Sequence, residues 1–126
     1  MRVLALDIGT RRTGVAFATF PPGIALILPT LRHTSIPRLL DQVAQLVHVR
    51  RIDHIVVGLP LLSSGKEGVQ AQRVRALLPS LAFLNARVST LDERYSTVRN
   101  SPQDPDAMAA WEILTVFIDR LGAKSS

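Results

Sequence analysis

The chain has 126 residues, 47% of them hydrophobic and only 5% aromatic, which fits one globular domain with a core of Leu, Val, Ile and Ala rather than a disordered segment. It has no cysteine, which excludes disulfides, Cys-ligated zinc and thiol catalysis and is compatible with a reducing cytoplasm. The formal charge is +5, and because nearly all the basic residues are Arg, whose planar fork pairs with phosphate bidentately, an anionic partner is a natural reading beside mere solubility.

Arg2 to Ile8 is a nearly continuous apolar run, as in a strand buried on both faces. It carries no secretory-signal layout, and no run in the chain reaches the roughly 18 apolar residues that span a membrane. Gly9 to Arg12 reads as a turn, Thr13 to Phe20 as a second strand, Pro21-Pro22-Gly23 as a breaker and Ile24 to Leu31 as a third strand. Short connections make these three an antiparallel meander. Ser35 then offers an N-cap with Pro37 in the first turn of a helix reaching about Arg50, its apolar stripe being Leu39, Leu40, Val43, Leu46 and Val47. Asp53 to Gly58 is a short buried strand ended by Leu59-Pro60, and Ser63 to Gly68 a polar, flexible loop. A helix with Val69, Val74, Leu77 and Leu78 on its apolar side runs to Pro79, and Ala86 to Leu91 is a last strand ending in Asp92-Glu93-Arg94. Asp104-Pro105 opens a final helix to about Leu121.

The predicted fold class is therefore α/β: a mixed five-stranded sheet, three antiparallel strands then two parallel ones, with helices on both faces. One domain is expected over residues 1–122, with 123–126 a frayed tail.

Three carboxylates stand in places where apolar residues are expected. Asp7 lies inside the first strand, on the face of Val3 and Ala5, although an Asp before Gly-Thr also caps turns. Asp92 and Glu93 end the last strand, and since neighbours point to opposite faces, one of them at most shares the side of Asp7. Asp106 leads a helical stripe of Ala110, Ile113, Leu114 and Phe117, so it points along the buried side; a favourable charge near a helix N-terminus accounts for an acid there but not for its direction. All three fall at the C-terminal edge of the sheet, where open parallel sheets build their sites. Carboxylates a few ångströms apart repel by about 4 kcal/mol per pair at an effective dielectric near 20. A divalent cation reverses that sign, and oxygen-only donors select Mg²⁺ or Mn²⁺. Two such ions roughly 4 Å apart can activate water and stabilise the leaving oxygen of a phosphodiester with no protein nucleophile.

Asp7-Ile8-Gly9-Thr10-Arg11-Arg12-Thr13-Gly14-Val15-Ala16 resembles the opening motif of the YqgF/RuvX family. Val57-Gly58-Leu59-Pro60 with Gly65 and Glu67-Gly68, then Asp92 to Thr97, then Asp106-Ala107-Met108-Ala109-Ala110, resemble its later motifs in family order. The resemblance implies an RNase H-like fold and an Mg²⁺- or Mn²⁺-dependent nuclease that matures the 5′ end of pre-16S rRNA or resolves Holliday junctions. It places catalysis and metal binding on Asp7, Glu93 and Asp106, with Asp92 in support; Arg94, next in the chain, is read as supporting by orienting Glu93 or holding the scissile phosphate, or as a plain salt bridge. Arg11, Arg12 and Lys66 are candidates for binding nucleic acid, and a homodimer would suit symmetric cutting of two strands. The segment from Val98 to Pro105 is shorter than is usual for the family, which leaves fewer phosphate-binding groups near the site. Two other readings stay open. One is an ATPase or kinase, since Asp7-Ile8-Gly9-Thr10 also resembles the phosphate motif of the actin-like superfamily. The other is a non-catalytic nucleic-acid-binding or regulatory module. His33, His48 and His54 lack metal-ligand spacing and are assigned no catalysis.

Overall fold

A computed structural model describes residues 1–62, 64–94 and 105–125; of Glu93, Arg94, Lys124 and Ser125 only the backbone is described. The elements are β1 (Arg2–Ile8), β2 (Arg12–Thr19), β3 (Leu26–Arg32), α1 (Ile36–Arg50), β4 (His54–Leu61), α2 (Val69–Leu81), a 3₁₀ turn (Ala82–Leu84), β5 (Arg87–Arg94) and α3 (Pro105–Ser125). The strands form one sheet in the order β3-β2-β1-β4-β5. β1, β2 and β3 pair antiparallel, while β4 runs parallel to both β1 and β5, so the expected mixed sheet is borne out.

Alternation along the strands separates two cores. Leu4, Leu6 and Ile8 of β1, with Val15 and Phe17 of β2, meet α1 through Leu39, Val43 and Val47 and α2 through Ala71, Val74 and Leu77. The other face is built of smaller residues, Val3, Ala5, Ala16, Ala18 and Val56, and is covered by Ala110, Ile113, Leu114 and Ile118 of α3. Helices therefore lie on both faces as expected, and the alanine floor lets α3 lie close to its strands.

The closest approach is at Gly14. In register it sits opposite Asp7, and a Cβ built on it would lie 1.8 Å from the backbone oxygen of Asp106. The first turn of α3 thus rests directly on β2 backbone. This is the close approach that a glycine inside a strand can mark.

Several boundaries differ from expectation, each for a local reason. β4 does not stop before Leu59-Pro60 but runs to Leu61, with Pro60 opposite Glu93. Its pairing with β1 ends at Val57, so further on one side of the strand is open and a proline is tolerated. α2 passes through Pro79 to Leu81, only two residues further, and Val69 is exposed rather than part of its apolar side. α3 continues to Ser125, beyond the expected end near Leu121, and so takes in Ala123 and Lys124 of the expected tail. The polar loop after β4 is closed by hydrogen bonds from Leu62 N to Lys66 O (2.9 Å) and from Gly65 N to Leu62 O (2.8 Å). The proposed cap Asp104 and the segment from Tyr95 to Asp104 lie outside the described residues.

Replacing Gly14 by Ala sets a methyl group against backbone that no side-chain rotation can clear. We expect Gly14→Ala to cost about 3 kcal/mol, at the upper end of overpacking, and to loosen α3. Circular-dichroism melts and amide exchange along α3 check this, and a Tm equal to wild type contradicts it.

Candidate active site

Asp7 is the penultimate residue of β1, partly buried on the α3 face. Asp106 stands in the first turn of α3, and that turn is held over the Asp7–Gly14 pair by the contact just described. The two carboxylates interact. Burial first, and then the negative charge of Asp106, push the Asp7 carboxyl up to about 6 from its ordinary value. The inward direction read from the helical stripe is therefore what the structure has, with Ala107, Ala110, Ile113 and Leu114 buried behind Asp106.

Arg12 opens β2 after a tight turn in which Gly9 N donates to Arg12 O at 2.9 Å. A Cβ on Gly9 would lie 2.5 Å from that oxygen, so the turn needs glycine there. From this position the Arg12 guanidinium pairs with Asp106, Nε to Oδ2 at 3.3 Å. Gly9, Thr10, Arg11, Arg12 and Asp106 line an open cavity of about 410 Å³ at this sheet edge.

The β5 register separates the two remaining acids. Leu91 belongs to the core under α3, and by alternation position 93 falls on that same face, the face of Asp7. Position 92 faces the other way, and the Asp92 carboxylate is felt by Arg75 on α2. Asp92 thus stands on the face opposite Asp7 and Asp106, toward Arg75. The side chains of Glu93 and Arg94 lie outside the described residues. Lys66 is exposed in the turn after β4 and does not line the cavity at Asp106. Arg11 does line it, beside Arg12.

Two acids forced together, one with its proton held more tightly than usual, form a site whose electrostatics favour a cation. Their donors are all oxygen, which suits a hard divalent ion. Among the described residues no cluster of three possible metal-ligating side chains is assembled. The fit therefore rests on the Asp7–Asp106 pair and on the place of position 93. Gly14 is the structural residue that sequence reasoning passed over; its signal was a glycine interrupting an otherwise apolar strand.

A mixed sheet in the order 3-2-1-4-5, with acids gathered at the C-terminal end of its first strand and the start of its last helix, defines an RNase H-like protein. RuvC of Thermus thermophilus, solved in complex with Holliday junction substrate, superposes with a TM-score of 0.67 at 17% identity over 97% of both chains. The Fowlpox virus resolvase, solved with substrate Holliday junction DNA, gives 0.63 at 10% identity over 96% of this chain and 99% of that one. The model of the RuvX family, described as Holliday junction resolvase, matches residues 1–120, and the chain belongs to that family.

A relative from Moorella thermoacetica, named "Putative pre-16S rRNA nuclease", is 35% identical over 97% of each chain. One of the same name from Chloroflexus aggregans is 39% identical over 76% of this chain and 68% of its own length. In the Chloroflexus aurantiacus relative the matched part is 63% of the protein.

The raised pKa of Asp7 makes metal-free stability depend on pH. Below about pH 4 both folded and unfolded chains hold the proton, and the site costs nothing. Between about pH 4 and pH 6 the unfolded chain gives up a proton that the folded chain keeps, so stability falls across that window by about 3 kcal/mol and levels off above it. Asp7→Asn carries no charge, so in EDTA it should be more stable than wild type by up to that amount at pH 7.5 and equal to it at pH 3.5. Urea unfolding at both pH values checks this, and a gap that does not change with pH contradicts it.

Proposed function

We propose that this chain is a metal-dependent endonuclease that hydrolyses phosphodiester bonds in structured nucleic acid. The observation that carries the reading is the docking of α3, which sets Asp106 beside Asp7 at the sheet edge where position 93 shares their face. The names of its relatives, and the junction-bound complexes of the two solved structures with its fold, support a nucleic-acid substrate. On this reading the substrate is the 5′ end of pre-16S rRNA, a Holliday junction, or both. Either goes with a cytoplasmic setting, and a junction calls for two copies cutting symmetrically.

Asp7, Asp106 and Glu93 are the residues that would hold Mg²⁺ or Mn²⁺. When bound, such ions supply charge neutralisation at the phosphoryl group and acidify water at the site. The chain's own contribution is placement. Asp7 is fixed by the sheet, and Asp106 by the Gly14 contact and by Arg12. Arg12 and Arg11, on the rim of the same cavity, meet the phosphate and orient it. Burial of Asp7 keeps the field of the acid pair from being screened by water.

Purified protein should cut precursor ribosomal RNA or a four-way DNA junction with Mn²⁺ or Mg²⁺ and not in EDTA. Asp7→Asn, Asp106→Asn and Glu93→Gln should each lower cleavage by roughly 100-fold or more, the scale of losing one charge-stabilising group at a reacting centre. Asp92→Asn should cut normally, because it lies on the opposite face. Wild type inactive on both substrates with both metals, or Asp7→Asn as active as wild type, overturns the reading.

A further inference from the structure

A second cavity, of about 540 Å³, adjoins the candidate active site and is walled by Arg11, Arg12, Arg32 and Arg38 together with His33, Thr34 and Gln42. It shares Arg11 and Arg12 with the cavity at Asp106, so the two adjoin at those residues. Among the described residues no carboxylate lines it. Arg11, Arg32 and Arg38 make no ion pair among the described residues, and like charges gathered at one hollow repel one another.

The local sequence also runs against ordinary preference here. Arg38 lies in the first turn of α1, where the helix dipole is positive and an acid is favoured, and that turn holds no acid. Two polar atoms of the wall, His33 Nδ1 and Gln42 Oε1, are buried without a hydrogen-bond partner. Such atoms are costly unless something pairs with them. His33 itself is 5% exposed.

Its other ring nitrogen, Nε2, is taken up by Thr13 Oγ1 at 2.9 Å. The wall is otherwise braced, by His33 N donating to Arg11 O at 3.0 Å and Gln42 Nε2 donating to Arg32 O at 3.1 Å. A surface that is braced and cationic suits an anion with several oxygens, which the arginine forks can bind although the acceptor Gln42 Oε1 cannot.

We propose that this pocket binds a backbone phosphate of the same nucleic-acid strand whose reacting phosphate lies at Asp7 and Asp106, on the nucleotides flanking the cut. The inference rests on the nuclease reading and extends it to a positioning subsite. A strand laid from the cavity at Asp106 past Arg12 reaches the pocket along the protein surface. Arg32 and Arg38 there hold it in register by contacts that carry no base information.

The test measures binding rather than cleavage. A fluorescein-labelled four-way DNA junction and a labelled precursor-rRNA hairpin are titrated by anisotropy over a range of salt in EDTA, with wild type and Arg32→Ala/Arg38→Ala. Both arginines are exposed and without a described ion pair, so the double variant should melt with wild type; Arg32→Gln/Arg38→Gln serves if it does not. We expect affinity to fall roughly tenfold and the slope of log K against log salt to become shallower by about 1, the loss of one phosphate contact. Arg32→Lys/Arg38→Lys should keep the slope with weaker binding, since Lys retains the charge but not the fork.

Unchanged affinity and slope in the double Ala variant, with wild type binding normally, overturns this inference and leaves the nuclease reading intact. Wild type binding neither probe overturns both. Inorganic phosphate is the second arm. If it raises the Tm of wild type but not of the variant, while nucleic-acid affinity is unchanged by the substitutions, the pocket takes free phosphate and the strand assignment fails.

Discussion

The contact between Gly14 and the backbone of Asp106 is the constraint on which the site depends. Helix-to-sheet packing normally leaves room for side chains on both layers. Here one layer has been pared to Gly14, Ala5, Ala16 and Ala18, and α3 settles onto the strands through them. On the opposite face Leu4, Leu6, Val15 and Phe17 fill the layer and meet α1 and α2 through Leu39, Val43 and Leu77. The asymmetry has a direct electrostatic result. An Asp at the start of a helix held at ordinary distance would be solvated, whereas this one is close enough to resist ionisation of Asp7. Packing geometry, not the carboxylates themselves, brings the two like charges together.

The rim of the site has the opposite character. Arg12 is the junction between the two, paired with Asp106 on one side and facing Arg11, Arg32 and Arg38 on the other. The sign of the charge thus alternates over a short distance, negative at the acid pair and positive along the arginine wall. The molecule arranges it with one turn and one strand end, since Gly9 lets the chain reverse tightly enough for Asp7 and Arg12 to stand on neighbouring strands.

Much of this was legible in the sequence wherever a residue broke a periodic pattern. Asp7 interrupts an apolar strand, and Asp106 heads a helical stripe whose members the core then uses, so both direction and burial could be read. The order of elements and the mixed sheet followed from the same periodicities. Choosing between Asp92 and Glu93 needed the parity of β5, which becomes fixed only once Leu91 is seen under α3 and Asp92 beside Arg75. Gly14 marked itself only as a break in an apolar strand, and what rests on it, the first turn of α3, is too distant in the chain to be read there. The arginine pocket was opaque for a like reason: its walls come from the β1–β2 turn, the end of β3 and the start of α1, and no local window contains them. Pro60 and Pro79 misled, because each looks like a stop, yet one stands where its strand has lost a neighbour and the other in a helix's last turn.

α3 has two duties that cannot be separated. It is the lid of one hydrophobic layer and also the carrier of the second acid. A chain emerging from the ribosome can assemble the sheet and its α1–α2 side first, with Asp7 alone at the rim and Ala5, Ala16 and Val56 still wet. Completion of the core and completion of the acid pair then occur in one event. A change that loosens α3 therefore parts the two acids as surely as it opens the layer.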